Sequence, residues 1–165
     1  MEKLVATALA VIAGTCAILV LKAAVVAWNL WFACARPEFS ERIYRVYTGH
    51  PVRAGIIGAI NTAVGLFAVL VMLQIKPLGL LAILLFGGIC AVHLWGRIGA
   101  YRLTADRLAG APDAPLDHSA WVRAAAVTEL AFLVPLVGQI LYLGVTLRAA
   151  GAFVLAALGR GKPEE

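Results

Sequence analysis

Four long runs of apolar residues, separated by short polar segments, dominate the chain. The first extends over 4–35 and is interrupted by Lys22 and Asn29. The second covers about 54–73 and the third about 78–95, joined by Gln74, Ile75, Lys76 and Pro77, a connection so short that the two must form an antiparallel hairpin. The fourth covers about 124–147 with Glu129, Pro135 and Gln139 inside it, and beyond Arg148 a further apolar helix is expected over 149–158. Crossing about 30 Å of hydrocarbon takes about 20 helical residues, and each run is long enough. The runs are continuous, not ten-residue alternations, which argues against a β-barrel. The expected fold is an all-α integral membrane protein, a single four-transmembrane-helix bundle with short amphipathic cytoplasmic helices in the connecting segments 36–53 and 96–123.

Composition strengthens this expectation. The 165 residues are 62% hydrophobic and only 14% charged, and mean hydropathy is +0.92. A water-soluble domain of this size would leave about 30% of its unfolded surface in water, too much for so apolar a chain. A soluble enzyme, a disordered tail and a disulfide-stapled secreted module are therefore disfavoured.

Charge then sets an expected orientation. Arg36, Arg42, Arg45 and Arg53 lie between the first two runs, and Arg97, Arg102, Arg107 and Arg123 between the last two; the hairpin turn carries Lys76 alone. Cationic loops stay in the cytoplasm, so a multi-pass protein of the cell (inner) membrane is expected, with both termini outside the cytoplasm. Arg160 and Lys162 oppose this orientation, and Glu164 and Glu165 soften the local charge. The first run continues far past a signal-peptide core and ends at Arg36, which reads as a retained anchor. The net charge of +5 is then the positive-inside pattern, with anionic lipid as the nearer polyanion; no nucleic-acid partner is expected.

From Glu38 to Thr48, Phe39, Ile43, Val46 and Tyr47 share one helical face and Glu41, Arg42 and Arg45 another. This predicts an interfacial helix with its aromatics at headgroup depth. After Trp95 a helix is expected to run through Tyr101, with Arg102 and Asp106 spaced as an i,i+4 pair, and to end at Gly110. A stiff linker over 111–115 follows, with Asp117 or Ser119 available to cap the next helix. Trp28, Trp31, Trp95 and Trp121 form the expected aromatic belt.

Polar groups inside a bilayer are expensive, so each is a candidate for function. Four stand out as a candidate intramembrane polar site: Lys22, Asn61, His93 and Glu129. Counting rise per residue places them at similar depth towards the cytoplasmic side, rimmed by Arg36, Arg53, Arg97 and Arg123, which are suited to anionic lipid. Such a group permits a proton relay, an ion site or a headgroup site. Equally, Glu129 can neutralise Lys22 or hydrogen-bond His93 and simply hold helix register.

Catalysis finds little support. Ser40 and Ser119 lie outside the spans, and Asp106, Asp113 and Asp117 fall in one connecting segment, so nucleophile-base and paired-aspartate proteases are excluded. Cys16, Cys34 and Cys90 form no C-x-x-C pair, and only one of the three histidines, His93, is intramembrane, against zinc and a bis-His haem. No cofactor and no metal are expected, and no catalytic residue is assigned. Small residues speak to assembly instead: Ala54, Gly58, Thr62 and Gly65 form a helix-packing face, Gly87, Gly88 and Ala91 offer a second, and 149–159 a third. The reading is a non-catalytic accessory or scaffolding subunit bound to other membrane subunits or to its own copies. The alternative is a small oligomeric proton- or cation-coupled transporter or channel using Glu129.

Overall fold

The structure, a computed structural model, describes residues 2–110 and 117–160; the linker 111–115 and the tail charges Lys162, Glu164 and Glu165 lie outside them. Seven α-helices occur among the described residues, with no strand: α1 (Glu2–Ala35), α2 (Pro37–Gly49), α3 (Pro51–Gln74), α4 (Gly79–Gly96), α5 (Ile98–Ala109), α6 (His118–Ala131) and α7 (Val137–Ala157). Prolines open α2 and α3 at the first helical position, where the missing N–H would have no intrahelical partner anyway. A 3₁₀ turn, Lys76–Leu78, closes the α3–α4 hairpin. Gly110, at φ 66°, ends α5 in the left-handed conformation that its lack of a side chain permits.

Four stretches are long and apolar enough to cross a membrane: Val5–Ala35, Pro51–Gln74, Lys76–Ala109 and Val137–Ala157. The first three follow the expected runs, and α1 continues unbroken through Lys22. The fourth differs. Instead of one span over 124–147 and a separate helix over 149–158, the chain breaks at 132–136, and the apolar residues divide between α6 and α7. Pro135 has no N–H to give a helix, and Leu136 adopts φ 62° and ψ −66° in a γ-turn closed by Val137 N–H donating to the Pro135 carbonyl at 2.7 Å. Hydropathy sees only that both sides are apolar.

The core is where α7 passes α3 and α4. An added Cβ on Gly58 would fall 1.8 Å from the Leu147 carbonyl oxygen, one on Gly151 1.8 Å from that of Ala54, and one on Gly96 2.1 Å from that of Ala149. Backbones this close require glycine. Of the expected packing face, Ala54 and Gly58 thus meet α7, while Thr62 and Gly65 turn towards α4.

The second helix departs from expectation. Its apolar face does not lie on a membrane surface: Ile43, Val46 and Tyr47 are buried with Ala100, Ala149 and Leu155. Arg148 donates to the Tyr47 carbonyl from both Nε (3.0 Å) and Nη2 and stacks over its ring at 4.0 Å. The expected Arg102–Asp106 pair is replaced by contacts to α2, with Arg102 bonding Glu41 and the Tyr44 hydroxyl donating to Asp106 Oδ2 at 2.5 Å. Burial pushes the Tyr47 phenol above its usual pKa, against the opposing pull of Arg148 and Arg107.

Candidate functional site

α6 runs back along the second half of α1. Cys34 Sγ lies 3.8 Å from His118 Nε2 at one end, and Lys22 Nζ lies 2.5 Å from Glu129 Oε2 at the other; twelve residues along α1 match eleven along α6, so the two are antiparallel. Glu129 consequently sits roughly 18 Å along the α1 axis from Cys34.

There it is the centre of a buried cluster. Besides Lys22, Glu129 accepts from Arg97 Nη1 at 3.0 Å and from the Tyr101 hydroxyl at 2.5 Å, both on Oε1. Arg97 immediately follows α4 and Tyr101 lies one turn further into α5, the i,i+4 spacing that puts both on one face. Phe132 and Tyr142, on either side of the α6–α7 break, stack edge to face at 5.3 Å. Their rings cover the two cations, with Lys22 Nζ 5.4 and 5.5 Å from the Phe132 and Tyr142 centroids and the Arg97 guanidinium 4.8 Å from Tyr142. The break therefore folds an aromatic cover onto the ion pairs, where desolvated cation–π contacts are strongest.

With two cations and one carboxylate, the cluster carries a formal charge of +1. Arg97 Nε is buried without a hydrogen-bond partner among the described residues. Between α1 and α6 a groove of about 460 Å³ opens beside Lys22 and Glu129, its walls made by Leu19, Val26, Leu30, Ala126 and Leu133.

The four candidate polar residues thus do not form one site. Lys22 and Glu129 pair directly; His93 bonds elsewhere. Its Nδ1–H donates to the Ile89 carbonyl at 2.8 Å, and its Nε2 is 3.0 Å from Thr62 Oγ1, which also lies 2.7 Å from the Gly58 carbonyl. Thr62 has a single hydroxyl proton to share between these two acceptors. Asn61 lies beside this pair in a second groove, exposed and without a hydrogen bond among the described residues.

The expected arginine rim is divided as well. Arg36, Arg53 and Arg123 are exposed, whereas Arg97 turns inward because Glu129 offers a counter-charge. Of the expected aromatic belt, Trp28 and Trp31 are exposed, Trp95 stacks on Phe32 and Phe153, and Trp121 is buried against Tyr101. Two polar residues escaped the sequence reading of the site. Tyr101 was detectable from its i,i+4 relation to Arg97. Asn29, visible as an interruption of the first apolar run but not singled out as a site residue, is fully buried and donates Nδ2–H to the Val25 carbonyl at 2.9 Å. Ahead of α6, the exposed Asp117 accepts from the Ser119 hydroxyl at 2.5 Å, and this bond holds its carboxyl below the usual range.

Among the described residues no group of three or more His, Cys, Asp or Glu side chains is placed to hold a metal ion. Compared with protein families, characterised proteins and solved structures, the chain matches none.

Proposed function

We propose that this protein is a non-catalytic accessory or scaffolding subunit of a membrane complex, with α1 as its docking element. The observation that carries the reading is the standing of α1. Three long apolar stretches pack on one another through α3, α4 and α7, while α1 is fastened near its second half, through the Lys22–Glu129 pair and the Phe32 and Trp121 contacts. Its first half exposes Val5, Leu9, Val11, Ile12 and Ile18. The groove beside it adds the small side chains Ala23, Ala27 and Ala126, which let a further helix approach closely. In the orientation we propose, Arg36, Arg53 and Arg123 face the cytoplasm and contact anionic lipid. The expected placement of both termini on the other side is corrected for the C-terminal end, because α7 runs antiparallel to α3, with Leu147 against Gly58 and Gly151 against Ala54, and so ends on the Arg53 side, opposite the start of α1.

The test is gentle solubilisation of native membranes, capture of the protein and mass spectrometry of the intact complex. A photo-crosslinking side chain at Leu9 is expected to capture a stoichiometric foreign chain. Recovery as a lone monomer, with no crosslink from α1, overturns the reading.

A proton- or cation-coupled site at Glu129 is less well supported, because that carboxylate is already surrounded by two cations and a phenol. Equal flux by wild type and Glu129→Gln in reconstituted vesicles would remove it.

A further inference from the structure

Asn61 is a polar group well inside an apolar helix, exposed and without a hydrogen-bond partner among the described residues. It lies ten residues into the 24-residue α3, roughly 15 Å from its start and near the middle of a span. Lys22, Glu129 and His93 all have partners; Asn61 has none among the described residues. A carboxamide without hydrogen bonds in hydrocarbon is strongly unfavourable. Asn29 places its amide on its own helix, at the Val25 carbonyl; Asn61 makes no such bond among the described residues, and lipid headgroups do not reach that depth, which leaves its carboxamide open to a group from another membrane-embedded chain.

The surroundings of Asn61 state what that chain is. It lies at one end of a groove of about 500 Å³ between α3 and α4, whose walls include Gly65, Ala68 and Gly88. At Gly88 an added Cβ would meet no atom within 4 Å. Beside the groove, Ile60, Val64 and Phe67 form an exposed ridge at i, i+4 and i+7, Phe67 being 69% exposed. Thr62 opposite His93 fixes the hairpin register, and in that register Phe67 and Gly88 share one depth. Knob and hole are thus level with each other on the same face of the same molecule.

A two-fold axis normal to the membrane preserves depth, so a second copy inserted in the same sense presents its own Asn61 level with the first. A carboxamide both donates and accepts, so it is complementary to itself. Isologous contact between identical patches needs that self-complementarity. We infer that the α3–α4 face is a homodimer interface, in which the two Asn61 carboxamides hydrogen-bond across the axis and each Phe67 enters the other copy's groove beside Gly88. This interface is separate from the docking role of α1 and does not depend on it.

The full chain, with Cys16, Cys34 and Cys90 changed to Ser and Val64→Cys introduced, is reconstituted in phospholipid vesicles and oxidised. A disulfide-linked dimer is expected, and none from a Leu9→Cys control. Single-molecule photobleaching across lipid dilution then gives the dimerisation midpoint. Asn61→Leu is expected to raise the protein-to-lipid ratio at that midpoint about tenfold, as loss of membrane hydrogen bonds implies, while Asn61→Gln retains dimers. Gly88→Leu, which fills the hole where the bundle itself has room, weakens the dimer independently. The inference is overturned by monomers at every ratio, by a dimer that neither Asn61→Leu nor Gly88→Leu weakens, or by an Asn61-dependent crosslink to a different chain when the same Val64→Cys protein is oxidised in native membranes.

Discussion

Glu129→Gln is the most informative single change. In the wild type, one carboxylate serves Lys22, Arg97 and Tyr101, with Arg97 and Glu129 side chains 6% and 4% exposed. The amide keeps the shape, loses the charge and leaves two cations near each other under the Phe132–Tyr142 cover. Removing one partner of a buried pair costs about 3–5 kcal/mol. At about 2–4 °C per kcal/mol for a chain of this size, the unfolding midpoint in detergent falls by roughly 6–20 °C. The comparison with the cations is sharper than the absolute number. Lys22→Met leaves Arg97 and Glu129 balanced, and Arg97→Met leaves Lys22 and Glu129 balanced, so each costs less than Glu129→Gln. Lys22→Met costs least, because Lys22 is 23% exposed and solvent-screened pairs contribute little. Thermal unfolding followed by tryptophan fluorescence reads all three, since Trp121 stacks on Tyr101. A Glu129→Gln protein that melts with wild type, or that is more stable than Lys22→Met, would refute the picture of one anion holding two cations.

Three further outcomes follow from the geometry. Leu136→Gly relieves a positive-φ backbone that costs about 1–3 kcal/mol and gives back about 0.4–1 kcal/mol in unfolded-chain entropy, so a midpoint raised by a few degrees is expected; a lowered one refutes strain at the break. Gly58→Ala drives a methyl into the Leu147 carbonyl and is expected to destabilise by about 1–3 kcal/mol, whereas Gly87→Ala, in open space, is neutral or stabilising, and equal effects in a paired melting assay count against the close α3–α7 crossing. Tyr47 has a raised pKa in the folded protein, so the stability linked to its neutral phenol is fully present below pH about 10 and declines above it; in alkaline titration by ultraviolet absorbance, Tyr47→Phe is expected to remove a phenol that ionises above the usual tyrosine range.

The long-range plan of this chain is legible in its sequence because bilayer thickness is a length rule. Runs of twenty apolar residues announce themselves, and Pro37, Pro51 and Gly110 mark their own ends. What escapes is whatever depends on which apolar surface meets which. The face of α2 carrying Ile43, Val46 and Tyr47 has the same pattern whether it meets lipid or protein, and only the presence of α5 and α7 decides. Pro135 was visible inside an apolar run, yet a proline in a span can kink or end it, and the γ-turn at Leu136 decides that here. Lys22 and Glu129 were foreseeable as partners by charge alone. Arg97 was not, because an arginine at a helix end looks like every other interfacial cation until an inward carboxylate claims it.

The Lys22–Glu129 contact also has a history within each molecule. The two residues are 107 positions apart, so at about 5–20 residues per second Lys22 is made roughly 5–20 s before the carboxylate that will hold it. Arg97 waits about a third as long, since 32 residues separate it from Glu129. Throughout that interval the first apolar helix carries an uncompensated ammonium, its four-carbon stem reaching towards the nearer polar surroundings. The arrival of α6 ends the delay for both cations at once, making the sixth helix the step that fixes the first in its final position during synthesis.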